Sequence, residues 1–406
     1  MSGVPLAAAP APASSTAAMR PTRVRHVVLW LTVLAYMITY MDRVVISVTG
    51  PMIQQEYGIG DRAWGWVLGV FQIGYALFQI PGGWLGDRFG PRRVGLCSMG
   101  VVVVALLVGW LGARTYGGVL GVGVLLGVAG ASFAIALPLA SRHFPPRHQG
   151  VAMGIAGAGN SGTVLTTLAA PRIAEQLGWH AVFGLALIPI TLVWAAFAVL
   201  AKEPPRPARP ARISDLRDVL RERDAWRLCG LYSVTFGGFV GLSSFLPIFF
   251  HDQYALTKVD AASLVAVGAA LGSLLRPVGG YLADRHGATP VLTAVFGVAA
   301  ALLLFTSALP ALGAMAIAFP LAMGTLGIGN GAVFQLVGLH YRERIGIVTG
   351  IVGAAGGLGG FLLPIVLGVG RDAIGSYGPG LGAISAAAVI GLLTTLTVPR
   401  MAEARA

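Results

Sequence analysis

Apolar runs of about 20 residues recur from one end of the chain to the other, each long enough to cross roughly 30 Å of hydrocarbon as a helix. Twelve are read, at approximately 27–52, 63–83, 93–113, 117–139, 149–171, 179–201, 228–250, 261–282, 290–309, 312–337, 345–369 and 379–398. Between them lie short stretches rich in charge, proline or glycine. The 58 glycines are scattered through the runs themselves. That favours helices whose backbones approach closely over lipid-facing strands, because in a bilayer every peptide group must find its partner within the structure. The pattern predicts an all-α integral membrane protein with twelve transmembrane helices.

Composition agrees. Of 406 residues, 56% are hydrophobic and 11% charged, too few charges to cover a soluble surface. The net charge of +12 would suit a nucleic-acid binder, but its distribution gives another meaning. With a cytoplasmic N-terminus, 21 of the 28 Lys and Arg fall in the tails and in the loops after even-numbered spans. Arg62, Arg114, Arg172, Lys258 and Arg371 fall on the other side, and Arg43 and Arg276 lie within spans. This bias orients the chain with both termini in the cytoplasm of an inner (plasma) membrane, and no nucleic-acid partner is expected. Residues 1–22, rich in Ala, Pro and Ser, read as a disordered tail. No signal peptide is read, since the first apolar run is too long and no A-x-A site follows. Cys97 and Cys229 lie in different halves, so no disulfide framework is expected.

The longest connection, residues 202–227, is rich in Pro and Arg and separates two six-helix bundles, 23–201 and 228–398, with a tail at 399–406. The bundles repeat one another. GGWLGDRFGPRR (82–93) aligns with GGYLADRHGATP (279–290) at an offset of 197, placing Asp87 over Asp284 and Arg88 over Arg285. At an offset of 196, Gly150, Gly154 and Gly157 lie over Gly346, Gly350 and Gly353. Two parallel six-helix repeats are an architecture of secondary transporters, whose substrate site lies near the midplane between the halves.

The turn G-x-L-G-D-R-x-G-x-R-R after the second span resembles the signature loop of the major facilitator superfamily, with a degenerate copy after the eighth. In it Asp87, Arg88, Arg92 and Arg93, with Asp284 and Arg285 in the copy, read as a gating latch joining cytoplasmic helix ends; orienting charge is the plainer alternative. A narrower resemblance is to the nitrate/nitrite porter family. It rests on GAGNSG (157–162), YSVTFGGFVG (232–241), SLLRPVGGYLADR (273–285), GIGNGAVFQLV (327–337) and GIVGAAGGLGGFLLP (350–364). That resemblance implies a midplane anion held by two arginines, one each from the second and eighth spans, with a tyrosine and an asparagine beside them. Arg276 takes the eighth-span position, Tyr232 and Asn160 match the tyrosine and asparagine, and Gln79 stands where the other arginine belongs. The Y-x-D-R pattern at residues 40–43 is similar instead to organic-anion symporters of the same superfamily, which implies Arg43 as a substrate anchor and Asp42 as a proton site.

The residues themselves support searching there. An ionisable group deep in a span is a functional hypothesis by default, since its burial costs about 2.5–3.5 kcal/mol. For Arg276 the readings are contact with a substrate anion or a structural pairing with backbone carbonyls. Asp42 and Arg43 lie roughly 22–24 Å along the first span and point about 100° apart, so neither neutralises the other fully. Each needs a second partner or water, or serves an outer structural network. Gln79 and Asn160 either line the pocket or join helices, as Asn330 and Gln335 are read to do. Tyr232 either donates to the anion or belongs to an interfacial belt.

All seven histidines fall in loops or at span ends, and no metal spacing, nucleophile with base or phosphate loop is read; no cofactor is expected. An enzyme is excluded on those grounds, and a sensor lacks a cytoplasmic signalling domain. The reading is a monomeric secondary transporter of a small anion, of nitrate/nitrite type. The alternative is a proton-coupled symporter of an organic carboxylate that uses Arg43, Arg276 and Asp42.

Overall fold

The computed structural model describes residues 22–204 and 210–397, and its elements are helices. The expected tails and part of the linker lie outside the described residues. The first half comprises α1 (Thr22–Val48), α2 (Gly50–Tyr57), α3 (Asp61–Phe89), α4 (Pro91–Leu111), α5 (Tyr116–Ala129), α6 (Ser132–Arg142), α7 (Gln149–Gly157), α8 (Gly162–Leu177) and α9 (Trp179–Leu200). The linker forms α10 (Ile213–Arg221). The second half comprises α11 (Arg223–Tyr254), α12 (Lys258–Leu274), α13 (Arg276–His286), α14 (Ala288–Ser307), α15 (Leu312–His340), α16 (Ile345–Ile374) and α17 (Gly378–Thr397).

Among the described residues, eleven helical stretches are long and apolar enough to cross a membrane. The run expected at 149–171 is the exception. A 3-10 turn, Ala158–Ser161, divides it into α7 and α8, and neither piece alone is long enough. Three other runs are also less regular than hydropathy suggests. The first ends at Val48, and Pro51 opens α2 beyond it. The fourth breaks around Gly130. The eighth breaks at Leu275, where Pro277 has no N–H to offer the Ser273 carbonyl.

The connection expected over 202–227 is shorter in space, because α11 begins at Arg223 and α10 occupies its centre. Local chemistry explains α10. The Arg212 N–H donates to Asp215 Oδ2 at 2.8 Å, closing the first turn, while Val219 is buried and Leu216 packs on the core.

Large apolar side chains such as Leu77, Leu192, Val199, Ile390 and Leu393 remain exposed on the outside of the bundle. On a soluble protein that coat would be a liability; here it is the surface offered to lipid. Inside, one apolar cluster fills the first half around Val67, Leu106 and Phe183. A second runs from Phe133 across to Tyr232, Phe236 and the second half.

The halves meet where α16 crosses α3 and where α13 crosses α7. A side-chain carbon on Gly83 would overlap the Gly346 carbonyl oxygen, and one on Gly280 would overlap that of Gly150. Only hydrogen fits at either crossing, so two backbones touch. The two crossings are related by the sequence repeat, which sets Gly83 over Gly280 and Gly150 over Gly346.

Beside each crossing a carboxylate closes the same end of the molecule. Asp87 accepts from the N–H groups of Gly346 and Ile347 at 3.0 and 2.9 Å, in the first turn of α16. Asp284 accepts from Gly150 and Val151 at 2.9 and 2.8 Å, in the first turn of α7. Helix N-termini carry unpaired N–H groups and a partial positive charge, so each half caps a helix of the other with an anion. This end is latched.

Candidate anion site between the halves

Arg276 opens α13 directly after the break, about 12 Å along the helix from Asp284 at 1.5 Å per residue. Its side chain is 1% exposed. Nη2 donates to the Tyr232 hydroxyl at 3.1 Å, while Nε and Nη1 have no hydrogen-bond partner. Rings of Phe236 and Phe133 stand 5.5 and 5.8 Å from the guanidinium carbon. Gly157 of α7 leaves room for this head group, since a Cβ there would lie 3.0 Å from Arg276 Cζ. With Nε and Nη1 unspent, this cation has the chemistry to receive an oxyanion, because a guanidinium presents its donors as a planar fork.

Gln79 occupies the equivalent place on α3. It is fully buried, and its Nε2 donates to the Gly130 carbonyl at 3.3 Å, which the α5–α6 break leaves free. Its Oε1 is unpartnered and would lie 3.2 Å from a Cβ on Gly353. Arg276 on Gly157 and Gln79 on Gly353 are thus two copies of one arrangement. Phe133 of α6 reaches both, packing against Gly353 on one side and facing Arg276 on the other.

Tyr232 is buried rather than interfacial. It stacks on Phe236 at 5.0 Å and on Phe133 at 6.0 Å, with the Phe334 edge closing the cluster at 4.8 Å. Asn160 sits in the 3-10 turn between α7 and α8, buried, with neither amide atom bonded. Asn330 and Gln335 are buried on α15, the helix that carries Phe334, and Gln335 supports Asp284.

On the far side from the latch, a cavity of about 470 Å³ opens between the halves. Its polar lining includes Arg43, Gln72, Asn160, Thr163, Ser243 and Ser273, and Arg43 is the one charged group there. The Arg43 guanidinium lies 3.8 Å from the Tyr40 ring centre and 4.3 Å from that of Tyr75. Asp42 turns the other way. It is buried, shares its helix face with Ile38, Val45 and Ile46 of the first-half core, and leaves Oδ2 unbonded.

The latch residues divide. Asp87 ion-pairs with Arg142 at 2.5 Å, both side chains buried. The loop arginines go elsewhere: Arg88 to the Ala211 carbonyl at 3.1 Å, Arg92 to the Ala198 carbonyl, and Arg93 to the exposed surface. Arg285 donates to the Tyr281 hydroxyl at 3.3 Å. Arg142 was not singled out from the sequence. Its one signal is a cation in the last turn of α6, 55 residues from its partner.

Residues 32–364 match the Major Facilitator Superfamily. The chain belongs to that superfamily. Within it, the chain is 32% identical over 366 residues to the nitrite extrusion protein of Bacillus subtilis (strain 168), covering 90% of this chain and 92% of that one. It is 31% identical over 382 residues to the probable nitrate/nitrite antiporter NarK1 of Thermus thermophilus, covering 85% and 84%. It is 35% identical over 326 residues to the probable nitrate/nitrite transporter NarK2 of Mycobacterium tuberculosis (strain ATCC 25618 / H37Rv), covering 78% and 82%. These likenesses place it close to the nitrate/nitrite porters, as its motifs suggested.

Solved superfamily structures share its fold. The human organic anion transporter MFSD10 (TETRAN) superposes with TM-score 0.78 at 14% identity, over 93% of this chain and 100% of the other. FucP in the outward conformation gives 0.76 at 18% identity, over 92% and 99%. By its superfamily and its curated relatives this facilitator is a transporter. Among its described residues no group of His, Cys, Asp and Glu is placed to hold a metal.

Proposed function

We propose that this facilitator moves nitrate and nitrite across the cell's inner (plasma) membrane by alternating access, as a monomer of twelve spans with both termini cytoplasmic. Arg276 carries the reading: a fully buried cation with two unspent N–H donors at the crossing of the halves, in a chain similar to nitrate/nitrite transporters. Counting α7, the 3-10 turn and α8 as one interrupted span gives twelve, six on each side of the linker. The arginine bias assigns the latched end to the cytoplasm. The cavity then faces outward. Arg276, Tyr232, Gln79 and Asn160 form the inner site, and rupture of the Asp87 and Asp284 caps opens the cytoplasmic side. No nucleotide motif supplies the drive, which is then exchange or an ion gradient.

The test is a thermal-shift panel on the purified protein, with nitrate, nitrite and small carboxylates, followed by proteoliposome uptake with and without a pH gradient. Stabilisation by nitrate or nitrite supports the reading. Stabilisation by a carboxylate alone replaces it with the second one, an organic-carboxylate symporter. One observation favours that second reading: a cavity of about 470 Å³ edged by Arg43 and hydroxyls has room for more than a triatomic or tetra-atomic ion.

Two substitutions refine the proposal. Gln79→Arg restores a two-arginine pair across Phe133, and nitrate affinity should rise about tenfold, the effect of one added charge-assisted hydrogen bond. Equilibrium nitrate titration checks this; unchanged affinity would place Gln79 outside the site. Asp42 is the proposed proton acceptor, a buried carboxylate without an ion pair among the described residues. Asp42→Asn should therefore abolish stimulation of uptake by a pH gradient while nitrate–nitrite exchange persists. Stimulation that survives the substitution assigns the coupling proton elsewhere.

A further inference from the structure

We infer that Arg43 forms an outer anion station, separate from Arg276 and occupied before it. The inference rests on the reading that a small anion passes Arg276, and it adds the step that comes first.

Arg43 lines the open cavity, whereas Arg276 does not. No acidic side chain lines that cavity, and among the described residues no carboxylate ion-pairs with Arg43. Instead the Tyr40 and Tyr75 rings hold the guanidinium at 3.8 and 4.3 Å. Ring faces fix a guanidinium without consuming its N–H fork, which lies in the plane of the group. Both tyrosine side chains also hydrogen-bond with Arg43, but two hydroxyls do not use up the five N–H groups of a guanidinium. The site is therefore a positioned cation without a carboxylate partner, at the edge of a solvent-reachable cleft.

The two arginines are divided by aromatic rings. Tyr40 meets Tyr36 edge-on at 5.6 Å, Tyr36 meets Phe133 at 5.9 Å, and Phe133 stands 5.8 Å from the Arg276 guanidinium. A nitrate-sized ion on Arg43 is thus not also on Arg276, and these rings must shift for it to pass. Asn160 supplies the connection. It lines the outer cavity with an unbonded, buried amide, and it sits one turn beyond Gly157, on which Arg276 packs. An anion leaving Arg43 meets the Asn160 amide before it meets Arg276.

The physical advantage is kinetic. A cleft with low-dielectric walls that carries charge of one sign focuses field lines and raises anion arrival rates, for a single cation by about tenfold, the low end of the range, an effect that salt suppresses. Arg276 alone, screened by Phe133, Phe236 and Tyr232, gives little of that field to the entrance.

The experiment is initial uptake of labelled nitrate by proteoliposomes, at low and at high ionic strength, with wild type, Arg43→Gln, Arg43→Lys and Arg276→Lys. Arg43→Gln should raise KM on the order of tenfold, far more than it lowers kcat, and should flatten the salt dependence. Arg43→Lys should recover most of the KM and the salt dependence, which a merely structural role would not do. An unchanged KM and salt slope in Arg43→Gln overturns the station. So does loss of equilibrium nitrate binding in Arg43→Gln as deep as in Arg276→Lys, which would make one composite site. If wild type moves a carboxylate and not nitrate, the nitrate reading fails, and the same KM comparison with that carboxylate decides the station.

Discussion

Arg276→Met weakens nitrate binding at least a hundredfold. Charge-assisted hydrogen bonds contribute about 1.5–3 kcal/mol each, and two unspent donors point at the site. Losing both costs about 3–6 kcal/mol, a hundredfold or more in affinity. Methionine keeps most of the volume, so the rings of Phe133 and Phe236 stay supported. The same change removes a buried charge whose placement costs about 2.5–3.5 kcal/mol. It also strands the Tyr232 hydroxyl, a penalty of about 1–3 kcal/mol. Those two nearly offset, so Arg276→Met alone should unfold near the wild-type temperature. Adding Tyr232→Phe removes the stranded hydroxyl, and the double variant should be more heat-stable than wild type without ligand. Thermal melts with and without nitrate read both effects. A double variant that melts lower would mean that Arg276 is structural.

Asp87→Ala shifts the protein toward the state open at the opposite end and cripples transport. Asp87 holds the Gly346 and Ile347 N–H groups of the other half and the buried Arg142 side chain. Arg142 lies in the same half as Asp87, so the bonds that tie the halves are the two to main-chain N–H groups, each charge-assisted and contributing about 1.5–3 kcal/mol. Their loss falls on the latched state, since the cap exists only while the halves touch there. A shift of about 3 kcal/mol changes the ratio of the two states more than a hundredfold. The readout is labelling of Thr163→Cys, at the cavity wall, by a membrane-impermeant thiol reagent, with the exposed Cys97 replaced by serine. Labelling should fall at least tenfold in Asp87→Ala. Asp284→Ala should fall less, because Asp284 is partly exposed and water weakens its bonds to the Gly150 and Val151 N–H groups, whereas Asp87 is buried. Equal effects would mean that the exposure of Asp284 does not weaken its cap.

The spans were legible because lipid demands long apolar helices, and hydropathy measures that demand directly. Their interruptions were harder to see. At Leu275 and Thr49 the signals exist, Pro277 and Pro51 each opening the next helix, but an apolar count averages over a single proline. At Ala158–Ser161 the run of small residues reads equally well as close helix packing. The repeat located Asp87, Asp284, Gln79 and Arg276 because symmetry-related positions keep a constant offset. It did not show what the two aspartates bind, since their partners are main-chain N–H groups, which every residue but proline carries. Arg142 escaped for a related reason: nothing in a sequence ties the last turn of one helix to a loop 55 residues earlier. Phe133, which reaches both Gln79's glycine and Arg276, looks from sequence like any other apolar residue.

The most direct measurement of the central claim is counterflow. Proteoliposomes loaded with unlabelled nitrite are presented with labelled nitrate, using wild type and Arg276→Met reconstituted to equal density. If Arg276 receives the anion between two rocking halves, label accumulates rapidly in the wild type and stays at the protein-free level in the variant. Equal accumulation in both, or none in a folded wild type, contradicts the account.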